Sequence, residues 1–227
     1  MRFKDVFSIM GPSMIGPSSS HTAGAARLGL TARQALGGQP DEADIIFSGS
    51  FAETYMGHGT DLAVTAGLLG CAPDDERIRD SIALAEAAGM ELRFGTELRP
   101  GGHPNTVRFE LRKGEQALTM VGCSIGGGNV EIVGVDGFDV KFGADCPTLL
   151  VNHQDMAGTV AAMALIVGRA NLNIRAMDVD RQSRSGRALT VMEMDQAVSA
   201  EVRRELQALP QVERVRLIHL NEEEGQE

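Results

Sequence analysis

The feature that most restricts the fold lies in the last third of the chain, where hydrophobic spacing changes period in a fixed order. From Thr148 the residues read as strand (Leu149 to Asn152), helix (Asp155 to Ala170) and strand (Asn173 to Asp180). A turn at Ser183-Arg184-Ser185-Gly186 follows, then strand (Arg187 to Met194), helix (Ser199 to Leu209), a stop at Pro210 and strand (Val212 to Leu220). That order, βαββαβ, is the ferredoxin-like unit.

The pattern upstream is different. Ala25, Leu28, Ala32 and Leu36 at helical spacing predict a helix from His21 to Leu36, closed by Gly37-Gly38. Ile45 to Ser48 reads as a short buried strand, Thr60-Asp61 opens a helix through Leu69, and a third helix runs from about Asp75 to Ala88. Alternation at Leu92 and Phe94, then at Val107, Phe109 and Leu111, a turn at Lys113-Gly114-Glu115 and a strand over Val130 to Val135 predict an antiparallel sheet. The fold class is therefore α+β in two domains, residues 1–146 and 147–221, with a solvated acidic tail over 222–227.

A formal net charge of -10 opposes a nucleic-acid partner, and 4% aromatic residues with no Trp leave few platforms for stacking bases. No apolar run approaches the ~20 residues of a membrane span. The opening Met1-Arg2-Phe3-Lys4-Asp5 lacks the apolar core of a secretion signal, so a cytoplasmic location with no membrane partner is expected. Cys71, Cys123 and Cys146 are far apart with no Cys-x-x-Cys pair, which argues against a disulfide framework and against a self-contained metal site. No metal ligand is assigned in this chain.

Four short motifs carry chemistry. "GPSMIGPSSSHTAG", Gly11 to Gly24, places Ser18, Ser19, Ser20, His21 and Thr22 at a helix start, where free N–H groups and added hydroxyls suit a carboxylate or phosphate. The competing reading is a multiply capped helix, although a cap needs one hydroxyl. "GHGTD" sets His58 between glycines just before a helix start, whose dipole opposes imidazolium and suits a general base. The alternative is a loop histidine bonded to backbone. "GGHPNT", Gly101 to Thr106, is a turn presenting His103 and Asn105 together. Gly126-Gly127-Gly128-Asn129 lies between two strands with no following Lys-Ser or Lys-Thr, and so reads as a tight turn or close backbone approach, not a phosphate loop. A serine hydrolase lacks its Gly-x-Ser-x-Gly elbow.

Together, "FSIMGPSMIGPSSSHTAG", "GHGTD", "GGHPNT" and "SIGGGN", followed by βαββαβ, resemble the beta chain of the bacterial iron-sulfur L-serine dehydratases of the two-polypeptide form. The resemblance spans essentially the whole chain. It implies a lyase subunit acting with an alpha subunit that ligates a 4Fe-4S cluster, converting L-serine to pyruvate and ammonia. It implies an N-terminal domain similar to the allosteric substrate-binding domain of phosphoglycerate dehydrogenases, and a C-terminal ACT regulatory domain. By the same resemblance His58 is expected to be catalytic, while Ser18, Ser19, Ser20, His21, Thr22, Thr60, Asp61, His103 and Asn105 contact the substrate. For the ACT domain it implies self-association and an amino-acid effector near Asn152, His153, Asp155, Gly158 and Asn173; a purely structural pairing module is the other reading. "QDMAG" lacks the proline often found before that glycine. The rival function is a stand-alone amino-acid sensor built from the same two modules.

Overall fold

The computed structural model describes residues 13–98 and 102–220. The Met1 to Asp5 segment, the Gly11-Pro12 break, Gly101 and the acidic tail lie outside them. The chain forms two compact units that divide between Asp136 and Gly137, upstream of the division expected at Cys146. The intervening segment is tied to the second unit: the Asp139 and Lys141 amides donate to the carboxylates of Asp180 and Asp178 at 2.8 and 3.0 Å, and the Gly143 amide to Glu193 at 3.2 Å.

In the first unit, strands β1 (Glu42–Gly49), β2 (Glu91–Glu97), β3 (Asn105–Lys113), β4 (Gln116–Gly126) and β5 (Asn129–Val135) lie side by side in the order β2-β1-β3-β4-β5. β3, β4 and β5 form the expected antiparallel succession, but β1 and β2 pair in parallel, so the expectation of a wholly antiparallel sheet is corrected. Alternation reports which face is buried and is silent on direction. The helices between β1 and β2 supply the long crossover that a parallel pair requires.

Those helices are α2 (Ser50–His58), α3 (Thr60–Leu68), a 3-10 turn (Glu76–Asp80) and α4 (Ser81–Ala87). Before them, α1 (Ala25–Leu36) continues a π-helical turn, Ser19–Gly24. Buried Ala43, Ile45 and Phe47 of β1, with Val107, Phe109, Met120 and Ile132 of its neighbours, form the sheet's share of the core. Helices α1 and α3 cross backbone to backbone. A Cβ on Gly29 would stand 2.2 Å from the Val64 carbonyl oxygen, and one on Gly67 would stand 2.1 Å from that of Ala26.

The second unit holds a two-residue strand β6 (Phe142–Gly143), then β7 (Thr148–Gln154), α5 (Thr159–Arg169), β8 (Ile174–Arg181), β9 (Arg187–Met194), α6 (Ala200–Gln207) and β10 (Val212–Ile218). From β7 onward the order is the expected βαββαβ, and its sheet runs β10-β7-β9-β8 with every pair antiparallel. Leu149, Val151, Met192 and Met194 of the sheet close on Met163 and Val167 of α5 and on Val202 and Leu206 of α6. Among the described residues no helix is long and apolar enough to cross a membrane.

Candidate functional site

The site begins at the π-helical turn. Ser18 is its N-cap: the Ser18 hydroxyl oxygen accepts from the His21 amide at 3.2 Å, and the Ser18 carbonyl accepts from the Thr22 amide at 2.8 Å. The same hydroxyl lies 3.3 Å from His21 Nδ1. When it donates there, the ring proton stays on Nε2. Nε2 is buried and has no partner among the described residues. Burial pushes the His21 imidazole below its ordinary value, and the charge of His58 pushes it further the same way.

His58 ends α2, a helix the spacing analysis did not anticipate, and Gly59 alone separates it from Thr60 at the start of α3. Gly59 is left-handed at φ 64°, which lets one helix stop and the next begin within a single residue. His58 is therefore corrected from a residue standing only before a helix start to one that also closes a helix, so the dipole argument from one helix end does not apply to it. Its exposed ring lies 4.9 Å from that of His21, centroid to centroid. Beneath them Phe51, fully buried, meets the His21 ring edge-on at 5.1 Å. Asp61, in the first turn of α3, is half-buried; burial raises its carboxyl above the usual carboxylate range, and the Leu62 amide at 2.9 Å counters part of that.

Strand register brings further groups to one end of the sheet. Gly49 pairs with Asn105, Thr106 pairs with Cys123, and Asn105 Nδ2 donates to the Ser124 carbonyl at 3.5 Å. In the turn before β3 the Asn105 amide donates to His103 Nδ1 at 3.2 Å and the Thr106 hydroxyl donates to the His103 carbonyl at 2.6 Å. His103 and Asn105 thus brace this turn. Gly126, which ends β4, and Gly127 and Gly128 after it, all at positive φ, form the expected tight turn.

Ser124, which the motif analysis did not single out, is fully buried against Gly24 of the π-helical turn. His21 Nε2 and the hydroxyl oxygens of Thr22, Thr60 and Ser124 are all buried without a hydrogen-bond partner among the described residues. All four belong to this turn or to elements packed on it. A buried polar atom without a partner costs about 1–3 kcal/mol, and four of them lie in this one region. Ser19 and Ser20 occupy the first helical positions, where backbone N–H groups have no partner within the helix.

The second unit distributes its candidate residues differently. His153 is buried; its Nδ1–H donates to the Gln154 carbonyl and its Nε2 accepts from the Thr190 hydroxyl, both at 2.8 Å. Asn152 accepts from buried Arg216 at 2.7 Å. Asp155 pairs with Arg181 at 3.0 Å, while Asn173 donates to Asp195 at 2.5 Å. Gly158 caps the start of α5 and Asn173 follows its end, so about 16 Å of helix separates them within one chain. Gly158 and Asn173 therefore stand at opposite ends of α5 within one copy.

Cys71, Cys123 and Cys146 form no disulfide and are buried, Cys123 in β4 and the other two in connecting segments, and burial holds Cys71 and Cys146 toward the thiol form. Asp145, Cys146 and Glu193 are close enough to share an ion, but Arg175 already pairs with Asp145 at 3.1 Å.

Fold and site together define a two-unit α+β protein in which two neighbouring imidazoles stand beside buried polar atoms without a hydrogen-bond partner among the described residues, and in which a βαββαβ unit follows along the chain. A family model described as serine dehydratase beta chain matches residues 3–133. The chain is 42% identical over 212 residues to the probable L-serine dehydratase, beta chain, of Bacillus subtilis, covering 93% of this chain and 96% of that one. It is 34% identical to the L-serine dehydratase, beta chain, of Peptoniphilus asaccharolyticus, over 87% of this chain and 90% of that one. It is also 25% identical to a D-3-phosphoglycerate dehydrogenase of Methanocaldococcus jannaschii, over 86% of this chain and 37% of the longer protein. The chain belongs to the serine dehydratase beta-chain family.

Proposed function

We propose that this chain is the beta subunit of an L-serine dehydratase, a lyase converting L-serine to pyruvate and ammonia, and that its first unit holds the substrate and handles the α-proton. The observation that carries this reading is the set of buried polar atoms around the Ser19–Gly24 turn that have no partner among the described residues, beside an exposed histidine. Serine is small and carries a carboxylate, an ammonium and a hydroxyl. Its carboxylate suits the start of the turn, where the Ser19 and Ser20 amides, His21 Nε2–H and the Thr22 hydroxyl can donate. His58 then takes the α-proton. Burial and the charge of His58 both disfavour the imidazolium of His21, so His21 remains a neutral donor to the substrate. Asp61, with its raised carboxyl, and Thr60 border this exchange from the start of α3.

The resemblance implies a 4Fe-4S cluster. The residues of this chain do not fit it, since its three thiols are buried singly at separate places in the fold, none beside another. The cluster is assigned to the alpha subunit. Loss of the β-hydroxyl belongs to that partner's share of the reaction. His58 and Met56, the latter 74% exposed, stand at the open end of α2 and face outward, as a site completed by another chain requires. The second unit is proposed as an ACT regulatory module that self-associates. Two copies would be needed to bring Asp155 and Gly158 near an Asn173 around an amino-acid effector. The location is proposed to be cytoplasmic.

The test is anaerobic reconstitution with the alpha chain. This chain alone should not deaminate serine, whereas the pair should. In the pair, His58→Ala should lower kcat by about 100-fold or more with a much smaller change in KM, the signature of a group acting in the transition state. An unchanged kcat removes His58 from proton transfer.

A further inference from the structure

The contact between β4 and the π-helical turn is tighter than packing requires. Gly24 has φ -63° and ψ -40°, an ordinary helical conformation that any residue adopts. Its lack of a side chain is a matter of space: a Cβ there would stand 2.1 Å from Ser124 Oγ and 2.8 Å from Ser124 Cβ. Ser124 is fully buried and its hydroxyl has no partner among the described residues, so its place here is set by the fit against Gly24 and not by a hydrogen bond of its own. Its backbone carbonyl is held by Asn105, so the strand cannot easily withdraw. On the other side of the turn, a Cβ at Gly16 would stand 2.4 Å from Thr22 Oγ1. The turn is thus gripped from two sides, at Thr22 and at Gly24, and the residues between and beside these grips include His21. Wide π-helical turns within a helix are energetically poor and persist where surrounding structure enforces them, often at functional sites.

We propose that Ser124 is a positioning residue of this site: lodged in the notch left by Gly24, it enforces the Ser19–Gly24 turn that aims His21 and Thr22 at the substrate. The inference rests on the function proposed above and deepens it, since it extends the site to β4, whose residues need not touch the serine carboxylate to set how it is held. Loosening or overfilling the notch should therefore act on substrate binding ahead of proton transfer at His58, which sits on a different helix.

The experiment uses the reconstituted two-chain enzyme and three variants: Gly24→Ala, Ser124→Gly, and the double variant that trades the two sizes. Gly24→Ala should raise the serine KM by about tenfold or more with a smaller loss of kcat. Ser124→Gly, which introduces no clash, should raise KM by about threefold or more at a nearly unchanged melting temperature. The double variant should recover most of the KM lost by Gly24→Ala. A normal KM in both single variants overturns the proposal, as does a double variant no better than Gly24→Ala. If Gly24→Ala does not assemble, the KM of Ser124→Gly decides alone. Failure of the functional reading is separate: there the unmodified pair would not deaminate serine at all.

Discussion

Replacing Gly67 by alanine perturbs the one place where α1 and α3 touch through their backbones. The added methyl would lie 2.1 Å from the Ala26 carbonyl oxygen, 2.7 Å from the Leu30 amide nitrogen and 2.8 Å from Gly29 Cα. All three are backbone atoms, so no flexible side chain can give way. Ordinary contact starts near 3.4 Å, and the helices must part by roughly 1 Å at the crossing to reach it. Overpacking of this kind costs about 1–3 kcal/mol, and a clash with three rigid atoms belongs at the upper end. Alanine returns about 1 kcal/mol through helix propensity. The net loss is then about 2 kcal/mol, a fall of roughly 5–10 °C in melting temperature for a unit of this size. Gly168→Ala in α5 is the matched control. Nothing lies within 4 Å of its added methyl, so the propensity gain stands alone and the midpoint should rise slightly. Both are read by circular dichroism melts of the whole chain. A Gly67→Ala midpoint at or above that of the unmodified chain would show that the helices separate freely and would refute the reasoning. The consequence reaches the site, because the crossing lies about two turns along each helix from His21 and from Thr60.

Two further outcomes are expected. His21 has a folded-state value depressed below the 6.5 of an unfolded histidine, so the unfolded chain binds the proton more readily; stability from this group is present above pH 6.5 and is lost as pH falls through the lower folded value. Melting temperature should drop on acidification from pH 7 toward 5, less steeply in His21→Gln, and identical slopes would contradict the burial of this ring. In the second unit, Thr190→Val keeps shape but removes the hydroxyl that donates to His153 Nε2, leaving a buried ring nitrogen unpaired at a cost of about 1–3 kcal/mol. Urea unfolding with an unchanged midpoint would mean that the bond is not formed.

How far the chain was legible before its structure depends on the physics of each element. The βαββαβ order was readable because β7 and β9 are apolar runs and α5 and α6 carry apolar stripes, so each change of period marks a boundary. Helix α2 was not: of Ser50–His58 only Phe51 is buried, which leaves no stripe, and the glycines beside His58 look like loop. The parallel pairing of β1 with β2 was equally invisible, since direction is set by the length of the intervening crossover. Within the site, the hydroxyl-rich helix start and His58 were marked by composition at short range. Ser124 was not, although it stands in the quoted "SIGGGN" motif. Its role depends on a glycine 100 positions away, and a serine in a strand announces nothing until its partner across space is known. The domain division was displaced for a related reason: Asp139, Lys141 and Gly143 attach to acceptors on β8 and β9, contacts no local pattern records.

The single left-handed residue between α2 and α3 divides the histidine pair between unlike supports. His21 rides on a helix clamped into the core, whereas His58 ends a nine-residue segment anchored by one buried phenylalanine. Local opening is easiest where few apolar groups are buried. The imidazole proposed as the base therefore sits on a segment with a single buried apolar anchor, while the groups proposed to hold the substrate belong to a turn that continues into a helix with a buried face.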